Sequence, residues 1–248
     1  MSLFVVASVK GAPGVTTTTV ALGAAWPGDR SVVVVEADAS GGDLAARHGL
    51  CTEPGLASLA TAARRPIEAA DVARHIQVLA GGLAVVPAPV TGTHALAALG
   101  SPPALARALR SLEESDVLLD CGRIAPGSFD VSLAVDADAI VLLARPSLDD
   151  LQHLGDVLRL AGEMDRPCAL VLRGRGPYDD REVESTLGVP VLGRVPDDAR
   201  VAGMFNGRAG RGGTARLGKF LAEVRTVAGG MRRMAFPLPV AVEKEARA

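Results

Sequence analysis

Aromatic side chains are scarce, at 3% of the chain with one Trp and one Tyr, so aliphatic residues, chiefly Val, Leu and Ala, must fill the core. Only three cysteines occur, Cys51, Cys121 and Cys168. Their odd number and wide spacing exclude a paired framework and a metal-ligand cluster, and predict reduced thiols in a reducing compartment. Lysine is equally scarce among the 26 basic residues: Lys10, Lys219 and Lys244 are the only ones. A charge excess of either sign is also lacking, with a formal net charge of -2. No global cationic field therefore draws the chain to nucleic acid or to an anionic membrane, although a local patch stays open. No apolar run approaches the length of a membrane-spanning helix. Met1 to Val9 lacks the charged start and cleavage site of a signal peptide, so a cytoplasmic location is expected.

What is present is a chain of 248 residues, 48% hydrophobic and 22% charged, enough for one large α/β domain or two small ones. Apolar runs recur with helical segments between them, the pattern of a mostly parallel sheet covered on both faces. The clearest strands are Leu3 to Val9, Val32 to Glu36, Val117 to Asp120, Ala139 to Ala144, Ala169 to Leu172 and Val191 to Val195. Ile76 to Leu79 and Leu83 to Val86 flank Gly81-Gly82 as a predicted hairpin. Helices are predicted over Thr16 to Ala25, Pro103 to Glu114, Leu148 to Glu163, Asp179 to Leu187 and Ala215 to Ala228. The composition changes at Gly229, and Pro237 and Pro239 prevent a continuous helix beyond it. The expectation is one domain over residues 1–228 and a loose tail over 229–248. A membrane-binding amphipathic helix in that tail is the sharper alternative.

The first strand runs into Lys10-Gly11-Ala12-Pro13-Gly14-Val15-Thr16-Thr17, and a helix follows. A strand, a glycine-rich turn and a helix start form a phosphate cradle, because unpaired backbone N–H groups and the helix dipole favour an anion there. Downstream, Val32 to Glu36 leads into Ala37-Asp38, and Val117 to Leu119 ends in Asp120-Cys121-Gly122. A carboxylate at a strand end can take a proton from water or hold a hydrated cation, but it is also common as a plain solvated loop residue.

In this order the motifs resemble the ParA/MinD family of P-loop ATPases, the SIMIBI class, over roughly the first 228 residues. Their deviant Walker A loop reads Lys-Gly-Gly-x-Gly-Lys-Thr-Thr, and Lys10, Gly11, Gly14, Thr16 and Thr17 match it. The resemblance implies a three-layer P-loop fold, ATP and Mg²⁺ as cofactors and a homodimer, with Lys10 as the signature lysine acting across the dimer. It implies that Thr16 and Asp120 hold Mg²⁺ and that Asp38 activates water. Pro196 and Asp197 match the segment beside the base. Arg173 stands where relatives carry an adenine-reading Asn, and an arginine can stack on a base. Two departures carry consequences. Ala12 replaces a glycine, and Val15 replaces the lysine that reaches the β- and γ-phosphates. Losing one charge-assisted contact costs on the order of 1.5–3 kcal/mol, about tenfold to a hundredfold in affinity. Hydrolysis suffers more, since that lysine also stabilises transition-state charge.

The loop also resembles that of MinD-like proteins of high-GC bacteria found near Tad-type pilus and secretion ATPases, with the CpaE/TadZ localisation proteins as a related comparison. Three functions stay open. One is a nucleotide-responsive positioning protein for a pilus or secretion assembly. A second is a chromosome or plasmid partitioning ATPase holding DNA through Arg208, Arg211, Arg216 and Lys219. The third is a scaffold whose turn binds nothing.

Overall fold

A computed structural model describes residues 1–10, 14–124, 133–208 and 214–235. The sheet contains β1 (Leu3–Ser8), β2 (Ser31–Glu36), β3 (Gln77–Val78), β4 (Ala84–Val86), β5 (Ser115–Arg123), β6 (Ala139–Ala144), β7 (Cys168–Arg173) and β8 (Val191–Val195). Their order is β3-β4-β2-β5-β1-β6-β7-β8. Every pairing is parallel except β3 with β4, the predicted hairpin. Gly81 and Gly82 both take positive φ in its turn, a conformation that suits glycine.

The helices are α1 (Val15–Ala24), α2 (Leu44–His48), α3 (Leu56–Ala62), α4 (Ala69–Ala73), α5 (Gly92–Ala98) and α6 (Pro102–Arg110). They continue with α7 (Leu148–Leu151), α8 (Gly155–Glu163), α9 (Asp180–Leu187), α10 (Ala199–Phe205) and α11 (Thr214–Ala235).

The central strands are buried on both sides, and the period-two pleat divides their side chains between two cores. Leu3, Val5, Ala7, Val117 and Leu119 face one core with Leu56, Leu59, Leu105 and Leu109 of α3 and α6. Phe4, Val6, Leu118 and Val141 face the other with Val20 and Leu22 of α1 and Phe220, Val224 and Val227 of α11. This is a three-layer P-loop arrangement, helices on both faces of a mostly parallel sheet, as expected. Strand β1 lies between β5 and β6, so the chain order reverses around it and a crevice opens at its carboxyl end. The glycine-rich turn follows that end.

Two expected boundaries need correction. The single helix over Leu148 to Glu163 is two, because the chain between Gln152 and Leu154 turns before α8 starts. The last helix does not stop at Ala228 but continues through Gly229-Gly230 to Ala235. The reason is packing. Met231 is fully buried, and Arg232 reaches the carboxylates of Asp29 and Asp116, so two mid-helix glycines are tolerated. The remainder of the expected tail, with Pro237 and Pro239, lies outside the described residues.

Beneath the sheet, at the end away from the turn, Asp116 is wholly buried and gathers several partners. It accepts from the Ser2 amide at 3.0 Å and from Trp26 Nε1 at 3.1 Å, and it pairs with Arg30 at 3.3 Å and Arg232 at 3.6 Å. The Trp26 ring meets Phe4 edge to face at 5.5 Å.

Candidate functional site at the carboxyl end of strand β1

The site begins with Gly14, which caps α1 in the left-handed conformation at φ 83°. A side chain there would be strained, and glycine leaves the first turn of α1 open. The α1 amides lack a side-chain cap, so they are available to an anion. Gly11, the other glycine matched to the loop, lies outside the described residues.

Val15 is 5% exposed and packs in the core with Phe4, Val141 and Val171. It carries no donor, and its side chain is spent on the core.

Thr16 begins the second helical position, and its hydroxyl is close enough to Asp120 to favour the ionised carboxylate. Asp120 is completely buried within β5, which continues to Arg123 rather than ending at Asp120 as expected. Oδ1 accepts from the Gly122 amide at 3.3 Å, whereas Oδ2 has no hydrogen-bond partner of ordinary length. Burial pushes the Asp120 carboxyl up to about 7, and the negative charges of Glu36 and Asp38 add to the rise against the pull of Thr16 and the Gly122 amide. A buried carboxylate oxygen left without a donor is costly. A hydrated dication shared with Thr16 would remove that cost, and an oxygen pair of this kind fits Mg²⁺. No group of three or more His, Cys, Asp or Glu side chains is gathered for a metal among the described residues, so the remaining ligands must come with the phosphates or as water.

Asp38 follows β2. Its Oδ1 accepts from the Ser40 amide at 2.7 Å, which turns the chain back toward Gly41. A β-carbon on Gly122, whose φ is 59°, would overlap Oδ2 of Asp38. The two carboxylates named by the sequence therefore face one region.

Glu36, opposite Asp120 in the β2–β5 register, serves differently. It is buried and accepts from the amides of Asp43 at 2.7 Å, Leu44 at 3.0 Å and Ala88 at 2.9 Å. Burial raises its carboxyl above the usual range even against these bonds. Glu36 thus ties the loop carrying Asp38 to the end of β4. Spacing alone did not separate this anchoring carboxylate from the one that faces the crevice. The apolar run before Glu36 was the available signal, since it places the residue inside the sheet.

Three cationic side chains come next, one of them, Lys10, the last described residue before the glycine-rich segment. Lys10 Nζ lies 2.9 Å from Nε2 of His153, which follows α7 in the same chain. Arg47 donates to Asn206 Oδ1 at 3.0 Å, and that oxygen also accepts from Thr17 at 2.8 Å. Arg173, the last residue of β7, donates to Asp197 at 2.7 Å. Its Nη1 lies 3.2 Å from where a Gly14 β-carbon would stand. Sequence reasoning missed His153, Asn206 and Arg47. None belongs to a local motif, and each reaches the site through tertiary packing.

Pro196 and Asp197 border an open cleft of about 580 Å³ shared with Gly174, Arg194 and Lys219. Of the four basic residues considered for DNA, Arg211 lies outside the described residues. Arg216 pairs with Asp198 at 3.3 Å, which removes part of that patch's charge.

No family model matches the chain, and no curated protein matches it in sequence. Solved structures do. The cell division ATPase MinD of Pyrococcus furiosus superposes with a TM-score of 0.74 at 22% identity, over 94% of this chain and 99% of that one. The fold is that of MinD and ParA. A ParA family ATPase from Chlorobium tepidum gives a TM-score of 0.70 at 20% identity, over 93% of this chain and 98% of that one. MinD from Pyrococcus horikoshii, solved with Mg-ADP, gives 0.69 at 19% identity, over 95% of this chain and 98% of that one. With respect to the MinD and ParA fold, the similarity covers 93–95% of this chain, while Val15 departs from the loop pattern. No helix among the described residues is long and apolar enough to cross a membrane.

Proposed function

We propose that this chain is a nucleotide-responsive positioning or partitioning protein of the ParA/MinD type, binding ATP with Mg²⁺ and hydrolysing it poorly. The observation that carries the reading is the convergence of Thr16, Asp38 and the orphaned Oδ2 of Asp120 beside the open first turn of α1. A surface kept only for scaffolding gains nothing from a buried carboxylate with one oxygen left without a donor, which destabilises the fold.

In this reading the α1 amides and Gly14 would bind the phosphates, and Thr16 with Asp120 would hold Mg²⁺, which would neutralise phosphate charge. Asp38 accepts a hydrogen bond from the attacking water and can take its proton. Val15 donates nothing to the leaving phosphate, so hydrolysis is the step that suffers. Pro196 and Asp197 flank the base. A homodimer is part of the proposal, with Lys10 released from His153 to reach the partner's phosphates. The solved MinD and ParA structures support positioning or partitioning as the general class of work. A pilus or secretion assembly as the cargo is a narrower proposal, resting on the loop sequence alone. DNA and membrane contact are left as readouts of the same protein, the first by a salt-dependent mobility shift.

Titration calorimetry of the full chain with ATP and Mg²⁺ tests the reading. Measurable binding is expected, weakened by Asp120→Asn when Mg²⁺ is present and by Lys10→Ala. Absence of binding at millimolar ATP by the folded protein would defeat it and return the chain to the scaffold class.

A further inference from the structure

Position 15 offers no cation, yet a guanidinium stands at the same turn. We propose that Arg173 supplies the phosphate-binding charge that Val15 cannot, so the cation of this loop comes from strand β7 rather than from α1. The inference rests on the nucleotide reading above and assigns the residue that makes it workable.

The pleat of β7 places it there. Leu170 and Leu172 face the core beneath α3 and α6, whereas Val171 faces the opposite core with Val15 and α1. Residue 173 therefore emerges on the α1 side, one step beyond Val171 and at the open end of the sheet. Its guanidinium meets Gly14, the residue whose backbone opens the first turn of α1. The same vacant β-carbon position of Gly14 lies 3.9 Å from the β-carbon of Thr17. Arg173 thus overhangs the part of the turn where unpaired amides and the positive helix end already favour an anion.

The geometry leaves the side chain free to act. Nη2 is committed to Asp197 while Nη1 faces the turn, and a planar guanidinium can hold a carboxylate and a phosphate on different edges. The Asp197 pair is partly exposed, at 22% for Arg173 and 53% for Asp197. Pairs of that exposure are worth about 0–1 kcal/mol, so a small rotation toward phosphate costs little. The neighbouring cations are engaged elsewhere: Lys10 with His153, and Arg47 with Asn206 and Asp43.

This reading differs from base stacking in what Arg173 touches, and calorimetry can separate the two. Mg-ATP, Mg-ADP and adenosine would be titrated into wild type, Arg173→Ala, and Arg173→Ala combined with Val15→Lys, each checked for folding by its thermal melt. Arg173→Ala is expected to weaken ATP and ADP by about tenfold to a hundredfold, the range for one charge-assisted contact, and to leave adenosine unchanged. Adding Val15→Lys should recover much of the ATP affinity. An equal loss for adenosine would assign Arg173 to the base and overturn the inference. So would unchanged or tighter ATP binding by Arg173→Ala, the latter marking Arg173 as a plug. Should wild type itself bind no ATP, the nucleotide reading fails first; should wild type bind and Arg173→Ala bind equally, only this assignment fails.

Discussion

Asp38 and Gly122 are so closely apposed that the carboxylate of one occupies the space a β-carbon of the other would need. They come from the ends of different strands, β2 and β5, paired through the Glu36–Asp120 register. Gly122→Ala therefore meets two penalties, a positive φ of 59° and a collision with Oδ2 of Asp38. A loss of about 1–3 kcal/mol in urea unfolding is expected. Asp38→Ala should relieve the collision but not the backbone strain. The double variant is thus expected to be more stable than the sum of the single effects predicts, and simple additivity would mean that the two do not touch.

Asp120 makes the fold sensitive to pH. In the unfolded chain its carboxyl loses its proton near 3.8, whereas the folded protein holds it to about 7. Folding takes up a proton between those values, so the contribution of this group to stability is intact at low pH and is lost as pH rises through that window. Asp120→Asn keeps an acceptor for the Gly122 amide and cannot ionise. Without nucleotide or Mg²⁺, the variant should match wild type near pH 4 and exceed it at pH 8, by on the order of 4 kcal/mol given a rise from 3.8 to about 7 and about 1.4 kcal/mol per pKa unit. Melting curves across that range check this, and an unchanged difference between the two proteins would contradict it.

Removal of the end of α11 tests whether residues past Ala228 belong to the domain. Truncation after Ala228 deletes Met231 and Arg232, opening a core position and taking one cation from the buried Asp116. A loss of at least about 3 kcal/mol is expected, from cavity and charge together.

The thiols should differ sharply in reactivity. Cys51 is exposed, Cys121 is buried, and burial pushes the Cys168 thiol up to about 12. Native labelling at pH 8 is expected to modify Cys51 quickly and the other two only on unfolding. Peptide mapping by mass spectrometry reads the outcome.

The sheet was legible because its strands are short apolar runs bounded by turns, and burial on both faces is what such runs require. The short helices α2 to α5 were not, since five to seven residues give too little periodicity to register. The end of α11 was obscured by Gly229-Gly230, a local signal for stopping that tertiary packing overrides at Met231 and Arg232. Thr16, Asp38 and Asp120 stood out in the sequence because each lies within three residues of an element boundary. Arg173 drew attention only as an odd residue in an adenine position. Its approach to Gly14 depends on the β1–β6–β7 arrangement, which no local spacing encodes.

The gathering of Ser2, Trp26, Arg30 and Arg232 about Asp116 has a consequence for synthesis. As the chain leaves the ribosome, Ser2, Trp26 and Arg30 emerge early, Asp116 near the middle, and Arg232 only after some two hundred residues have followed Arg30. Until then the acid has a partial shell, and one face of the sheet has no cover from α11. Closure of the sheet's lower end thus waits for the final helix, leaving a nascent intermediate that a chaperone could recognise by its bare aliphatic face.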